Sequence, residues 1–419
     1  MTKVMIIGSG GRESALAWKL INEDIDVFAY PGNPGIFVTG KYADISGHFD
    51  SIKDFALDRN IDLVVIGPEQ YLADGLTDYL REHNIDVFGP SSQAARIETD
   101  KSYAKELMQR KNVPTADYTV VESRDQFDNE IEERDYPYVV KVSGLAGGKG
   151  AYIIKSSEDQ ERAVKEIFKE KRFRDAAGRI IIEEFMEGTE ASLFVITDSV
   201  NAVPMLPAQD YKRALDNDRG LNTGGMGSYA PCDFVDKQVR NRIMNTIIKP
   251  VLDGLKEDGS PFRGLLYCGL MITGEGPKVV EFNARFGDPE TQSILPLMKD
   301  NLYPLLKQAA AGTLDIESIS FATGAAVTVI IASKGYPGQY RKGEEIKIDY
   351  GALDENIEIF QAGTMLENNK LIASGGRIIG ITATGKELNE AVESVYGNIA
   401  KITINNSFYR KDIGKRALR

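Results

Sequence analysis

Over the first 90 residues, short apolar runs alternate with stretches of helical period. Val4–Ile7, Asp26–Tyr30, Asp62–Gly67 and Asp86–Gly89 read as strands, and residues 12–22, 51–60 and 71–83 as helices. Strand–helix alternation of this kind predicts a parallel, doubly wound sheet. Each strand ends at glycine or proline: Gly8-Ser9-Gly10-Gly11, Pro31-Gly32-Asn33, Gly67-Pro68-Glu69 and Gly89-Pro90. Ligands of such sheets bind beyond the carboxyl ends of the strands, so these four turns are expected along one crevice.

The pattern then changes. Residues 92–112 predict a polar helix or helix pair ending before Val113-Pro114. A compact α+β unit follows, with strands at 117–121, 138–143, 151–155 and 179–185 and helices at 123–134 and 157–171. A long amphipathic helix is expected near 236–257, then strands at 264–273 and 277–286 and a helical region to Gly312. From about 324 the chain is β-rich with glycine turns, closed by a helix near 386–401. The chain is therefore read as an α/β and α+β multidomain protein, with domains at 1–100, 101–323 and 324–419.

One strand carries more chemistry than a fold requires. In Val279–Glu290, apolar Val280 and Phe282 alternate with polar Glu281 and Asn283. Period-two geometry is expected to put Glu281, Asn283 and Arg285 on one face. A carboxylate and an amide oxygen two residues apart are hard ligands, suited to Mg²⁺ shared with nucleotide phosphates. The guanidinium that follows suits an anion. A solvated sheet edge would explain the same alternation, so the other motifs have to decide.

Bulk properties narrow the choice. The 419 residues carry a formal charge of −12, which disfavours nucleic acid or an anionic membrane as partner. No apolar run approaches the ~20 residues of a membrane span, and the N-terminus reads as a strand and turn. Cys232 and Cys268 lie far apart with no CxxC, which fits a reducing cytoplasm. The two histidines, His48 and His83, sit in polar surroundings and read as surface, so chemistry without histidine acid–base catalysis is expected.

Four loops add candidates. Lys141 and the run Gly144–Gly150 join two apolar strands; Gly147, Gly148 and Gly150 let backbone N–H groups approach an anion, and Lys149 adds a charge. A Walker A site is excluded by spacing and by the strand that follows. Glu183, Glu184, Phe185 and Met186 leave a buried strand where backbone groups could meet an adenine edge, with Glu190 toward ribose hydroxyls. Asp210-Tyr211-Lys212-Arg213 and Asn222-Thr223-Gly224-Gly225-Met226-Gly227 form a loop too elaborate for a plain connection and read as a substrate cover. Gly8–Ser14 opens a helix after a glycine turn, a geometry suited to an anion. As a dinucleotide fingerprint it is broken at Glu13, and Arg12 favours phosphate.

GSGGRE, Thr99-Asp100-Lys101, KVSGLAGGKG, NTGGMGSYAP, EFNARFGDPETQ and Phe408–Arg416 occur in the order seen in the phosphoribosylamine–glycine ligase (GAR synthetase) family of the ATP-grasp superfamily, which the whole chain resembles. The resemblance implies an ATP-grasp fold, preceded by the doubly wound domain and followed by a small β-rich C-terminal domain. The middle domain would carry a mobile subdomain at about 115–190. The implied reaction joins glycine to 5-phosphoribosylamine through glycyl phosphate, releasing ADP and phosphate, in purine (IMP) synthesis. ATP and Mg²⁺ (or Mn²⁺) are the implied cofactors.

Carried over residue by residue, Lys101, Lys141 and the 144–150 loop would hold ATP phosphates, residues 183–186 the adenine and Glu190 the ribose. Glu281 and Asn283 would hold the metal. Arg285, Asp288 and Lys212 would belong to the reacting centre, with Asn222, Thr223, Gly224, Gly225 and Met226 covering substrate. Gly10, Gly11, Arg12, Glu13, Gly67, Pro68 and Glu69 would receive phosphoribosylamine. A cytoplasmic monomer acting on small molecules is expected.

Two departures stand out. The family commonly has His after GGRE, where this chain has Ser14. Many ATP-grasp enzymes carry another metal carboxylate on the preceding strand, which here reads Leu265–Met271 without one. The competing readings are another ATP-grasp ligase of purine intermediates, a nucleotide-binding regulator without turnover, and an NAD-linked oxidoreductase. The first would lack NTGGMG with GDPETQ, the second has no need of Arg285, and the third is disfavoured by the broken fingerprint.

Overall fold

The computed structural model describes residues 1–132, 134–147 and 149–418. Strand β1 (Lys3–Gly8) lies at the centre of a five-stranded parallel sheet. Asp26–Pro31 and then Lys41–Tyr42 extend it on one side, Leu63–Ile66 and then Val87–Phe88 on the other. Alternate residues of β1 feed separate cores: Val4 and Ile6 pack with Leu16 and Leu20, Met5 and Ile7 with Ile52 and Leu80. This is the doubly wound arrangement the alternation predicts. The strand order reverses beside β1, so Gly8 and Gly67 meet at the switch point.

Several boundaries differ from expectation. The strand Lys41–Tyr42 is too short and exposed to leave an apolar signal. The helix expected at 71–83 is two, Glu69–Ala73 and Leu76–Glu82, separated by Gly75 at φ +87. Residues 92–112 form Ser92–Thr99 and Lys101–Arg110, because Asp100 is extended and caps the second helix through the Tyr103 N–H at 3.2 Å. That break puts Lys101 in the first turn. The long helix near 236–257 widens into a π turn at Met244–Ile248, just before Pro250, which has no N–H to donate.

The α+β unit forms an antiparallel sheet in the order Tyr118–Val121, Ile180–Glu184, Tyr138–Val142, Ala151–Ile154, over its own apolar core of Phe127, Val140, Ile154 and Ile182. A second antiparallel sheet runs Ala202–Pro204, Thr189–Thr197, Gly264–Thr273, Gly276–Asn283. The last of these, β2 (Gly276–Asn283), is an edge strand and ends at Asn283 rather than at 286. Gly269 pairs with Glu281 and Leu270 with Val279, so Val280 is the extra residue of a bulge. Alternation still runs past the strand end: Phe282 and Ala284 are buried, Glu281, Asn283 and Arg285 partly open.

The C-terminal strands do not stand apart. Ala325–Ser333, Arg377–Gly385 and Ile357–Gln361 share one sheet with Gln209–Asp210 and Gly227–Ala230. Strands from both sides of residue 324 are thus hydrogen-bonded together, carrying the covering loop and the C-terminal region to one place. No helix among the described residues is long and apolar enough to cross a membrane.

Candidate active site

The two antiparallel sheets and the N-terminal crevice open on a cleft of 1660 Å³. Pockets for one drug-sized ligand span ~300–1,000 Å³, so this cleft has room for more than one ligand. No histidine lines it, and His48 and His83 are exposed.

On the side of the α+β sheet, Lys141 donates to Glu183 at 2.7 Å and to the Val280 carbonyl at 3.0 Å. Lys105 reaches the other Glu183 oxygen at 3.2 Å and Thr115 Oγ1 at 2.8 Å. Burial opposes the Glu183 charge, but the two lysines outweigh it and hold the carboxyl below its usual value. Burial also pulls Lys105 down to about 8 against the pull of Glu183. The Glu183 side chain therefore turns inward and steadies lysines; only its backbone is left for an adenine edge. Glu184, Phe185 and Met186 do line the cleft. Lys101 lines it too, donating to the Gly144 carbonyl at 3.3 Å, and burial, with Lys141 beside it, lowers its pKa despite Glu281.

Lys149 departs from the expected role. Its Nζ donates to the Pro337 carbonyl at 3.3 Å, and the side chain is not part of the cleft wall, unlike Gly147 and Gly150. The loop bends toward the C-terminal region here, which carries the lysine off the cleft wall. Gly148 lies outside the described residues.

Across the cleft, Glu281, Asn283 and Arg285 all line the wall. Burial works against a charge on Glu281, but Lys212, Lys141, Lys101 and Arg285 outweigh it and keep its pKa low. The carboxylate is thus ionised and ready to ligate. Arg285 reaches Glu98 at 3.0 Å and Glu69 at 3.4 Å; these acids raise its pKa although burial opposes them. The guanidinium is held from the N-terminal side while facing the cleft. Among the described residues no three His, Cys, Asp or Glu side chains are grouped to hold a metal. Two protein oxygens, Glu281 and Asn283, suit Mg²⁺, which keeps most of its coordination for phosphates and water.

Lys212 pairs with Glu190 at 3.0 Å, so Glu190, expected at a ribose, is also tied to the reacting side. Burial works against the Lys212 charge, but Glu190, Asp210 and Glu281 raise its pKa well above the usual value. In the covering loop, Asn222, Thr223 and Gly224 face the cleft, while Gly225 and fully buried Met226 lie behind them. Arg377 fixes this loop by donating from Nη1 to the carbonyls of Gly224 at 2.7 Å and Asp288 at 2.8 Å and to Asp288 Oδ1 at 3.1 Å.

The N-terminal turn is filled differently from expectation. The Gly10 N–H donates to Glu13 Oε2 at 2.6 Å, and Arg12 Nε to Glu13 Oε1 at 2.6 Å. A Cβ on Gly67 would fall 1.9 Å from Glu13 Oε1. Glycine at 67 is thus required by the carboxylate lying over it, and that carboxylate occupies the anion position of the turn. Asp288 closes the same helix start, bonded to Gln292 Nε2 at 2.8 Å. In this structure the Glu13 carboxylate fills the turn, flanked by Arg12, whose Nη1 donates to the Phe286 carbonyl at 2.9 Å. Gly10, Gly11, Gly67 and Pro68 lie behind the wall that Arg12 and Glu69 form. Ser14 donates to the Gln361 carbonyl at 2.5 Å and receives Asn33 Nδ2 at 2.9 Å, which makes it a buried link to the C-terminal region.

Sequence reasoning missed Lys105, Glu98 and Arg377. Lys105 stands four residues after Lys101, on the same helix face, and that spacing was a usable signal. Glu98 is three before Lys101, across the Asp100 break. Arg377 follows a glycine turn and has no local signature.

Residues 2–98 match the N domain of phosphoribosylglycinamide synthetase, residues 99–291 its ATP-grasp (A) domain and residues 326–416 its C domain. The phosphoribosylamine–glycine ligase of Leptospira interrogans serogroup Icterohaemorrhagiae serovar Lai is 41% identical over 424 residues, covering 99% of each chain. The human trifunctional purine biosynthetic protein adenosine-3 is 42% identical over 424 residues, but this chain spans only 42% of its length. The crystal structure of phosphoribosylamine–glycine ligase from Thermotoga maritima superimposes with a TM-score of 0.85 at 33% identity, over 98% of this chain and 100% of that one. The chain belongs to the phosphoribosylglycinamide synthetase family.

Proposed function

We infer that this protein is a C–N ligase that joins glycine to 5-phosphoribosylamine at the expense of ATP, giving glycinamide ribonucleotide, ADP and phosphate in purine biosynthesis. The observation that carries the reading is the convergence of Lys101, Lys141, Lys212, Glu281, Asn283 and Arg285 on one cleft without a histidine. A carboxylate nucleophile is already anionic at neutral pH and needs no general base. Phosphoryl transfer to it rests on positioning and charge neutralisation, which lysines and a guanidinium supply.

Lys101 and Lys141 take the nucleotide phosphates, with Glu183 holding Lys141 in place. Glu281 and Asn283 hold Mg²⁺ or Mn²⁺, whose chemistry there is to neutralise and align the terminal phosphates. Arg285 and Lys212 receive the carboxylate and the charge that develops on the transferred phosphoryl group. The loop at 222–226 covers the intermediate against water. Arg12, Glu69 and Asp288, which line the cleft beside the turn, present the ribosyl amine, the carboxylates suiting sugar hydroxyls. Residues 1–100, 101–323 and 324–419 act as substrate-binding, ATP-grasp and closing domains, and the working form is a cytoplasmic monomer.

The test is product analysis with freshly generated phosphoribosylamine. Glycine should release ADP and phosphate, and formate or bicarbonate should not replace it. AMP with pyrophosphate would substitute an adenylating mechanism for this one. Alanine should be a poor substrate because the covering loop brings backbone close to a small acid, whereas a loose pocket discriminates by only ~1–3 kcal/mol per methylene.

A further inference from the structure

The run Phe408–Arg416 is not accounted for by the cleft chemistry. Within it stands Arg410, whose side chain is wholly buried. A guanidinium is buried without heavy cost only where its donors are met. Here they are. Nε and Nη2 donate to the two oxygens of Asp412 at 2.8 and 2.7 Å, and Nη1 donates to Asp218 Oδ1 and to the Arg213 carbonyl, both at 3.0 Å. Asp412 is a neighbour in the chain, but Asp218 and Arg213 are 192 and 197 residues away. Arg410 thus ties the C-terminal segment to the hairpin of Arg213–Leu215 and Arg219–Asn222, which begins directly after Lys212.

The grip extends to the residue before Lys212. Tyr211 is buried, and the guanidinium carbons of Arg410 and Arg416 lie 4.8 and 4.6 Å from its ring centre, within cation–π range. Its hydroxyl accepts the Gly414 N–H at 3.0 Å. Arg416 Nη2 donates to the same Asp218 oxygen as Arg410, at 2.8 Å. The Lys411 N–H donates to Asp216 Oδ1 at 2.8 Å, and the Asn217 N–H to Asp412 Oδ2 at 2.9 Å. A Cβ on Gly227 would fall 2.6 Å from the Thr328 carbonyl and 2.9 Å from Ile413 Cγ1. Glycine at 227, whose carbonyl accepts the Tyr211 N–H at 2.9 Å, therefore lets the same segment press against the covering loop. The Lys212 carbonyl accepts the Thr223 N–H at 2.8 Å and its hydroxyl at 2.9 Å. The backbone is held on both sides of Lys212, and the side chain alone crosses into the cleft, to Glu190.

We propose that Arg410 is a positioning residue of the reaction, clamping residues 211–213 to the C-terminal segment so that Lys212 is aimed into the cleft. The proposal rests on the ligase reading above for what Lys212 does there; the clamp itself is a matter of geometry. A lysine is a point charge on a flexible stem, so its direction has to come from its backbone or its partner. The partner is weak: the Glu190 side chain is 44% exposed, and an ion pair open to water to that extent holds little. The backbone must then set the direction, and Arg410 is the buried group that fixes it. Arg410 does not line the cleft, so any effect on the reaction passes through the residues it grips. The competing reading is that Arg410 only closes the fold at its C-terminal end.

The experiment uses the full chain with Arg410→Lys, which keeps the charge and loses the fork, and separately Asp218→Asn, which loosens the same clamp from its other side. Lysines are labelled with a limiting dose of acetic anhydride and the label at each is measured by peptide mass mapping. Burial works against the charge of Lys212, but the acids around it keep the amine protonated and slow to react. Freed from that position, Lys212 should label several-fold faster in both variants, while Lys101 and Lys141 of the same cleft keep their wild-type rates. The kcat for glycine-dependent ADP release should fall roughly tenfold, as for one charge-assisted contact, with the KM for ATP nearly unchanged. A rise shared equally by Lys101 and Lys141 would show general loosening of the fold and overturn the proposal. So would wild-type labelling of Lys212 in a folded variant, whatever its kcat. The two variants are read independently, so one that fails to fold leaves the other to decide. Wild type that releases no ADP with glycine refutes the ligase reading, and the labelling still judges the clamp; active wild type with Lys212 labelling unchanged in the variants refutes the proposal alone.

Discussion

Lys141 and Glu183 form a 2.7 Å ion pair that joins two neighbouring strands of one sheet at the wall of the cleft. The pair is buried, and Lys105 completes it from a helix. Removing the acid strands two lysines in a low-dielectric site. Glu183→Ala should therefore cost ~3–5 kcal/mol of stability, and Glu183→Gln less. Both should raise the KM for ATP, because Lys141 loses its anchor. Chemical denaturation with and without a non-hydrolysable ATP analogue checks this; a variant as stable as wild type would deny the triad its role. The native pKa of Glu183 is depressed, so its contribution is present above the unfolded value of 4.5 and is lost as pH falls through the lower folded value.

Glu281→Gln should leave the fold intact and reduce kcat by on the order of 10²-fold or more. A neutral amide keeps the shape but cannot balance a divalent charge. Melting curves and steady-state kinetics at saturating Mg²⁺ separate the two effects. Activity close to wild type would remove Glu281 from the metal site.

Arg377 binds the Gly224 and Asp288 carbonyls through one nitrogen, so it holds the covering loop against the turn that leads into the helix Glu290–Ile294. Arg377→Lys should preserve the charge and lose this shared geometry. The expected outcome is a KM for glycine or phosphoribosylamine raised roughly tenfold, with unchanged affinity for an ATP analogue in calorimetry. Weakened nucleotide binding would instead tie Arg377 to the phosphates.

What was legible in the chain followed from periodicity and from glycine. Short apolar runs marked the central strands, and Glu281, Asn283 and Arg285 kept one side although their strand stops at Asn283, because the extended alternation outlasts the hydrogen bonds. The glycine turn at 8–11 was visible as a turn, but its contents were not. Only the fold shows Glu13 laid back over Gly67, since that contact joins the first turn of a helix to the turn after a later strand. Lys105 shares a helix face with Lys101, but its partner is not legible: a lysine in a polar helix looks solvated until a buried Glu183 is placed against it. Arg377 and Asp288 are 89 residues apart, and no local pattern reports a contact of that kind.

Asp210 gives the last prediction. Its pKa is raised to about 8, first by burial and then by Glu290, Glu190 and Glu281, against the pull of Lys212. The folded protein thus binds a proton that the unfolded chain, with an ordinary value of 3.8, has already lost. Between about pH 4 and pH 8 the native state holds more protons, so stability falls as pH rises through that window. Asp210→Asn is neutral at every pH and removes this slope. The thermal midpoint of the variant should exceed that of wild type at pH 8 and approach it near pH 5. A wild-type-minus-variant difference independent of pH would mean that Asp210 is ionised in the folded protein throughout.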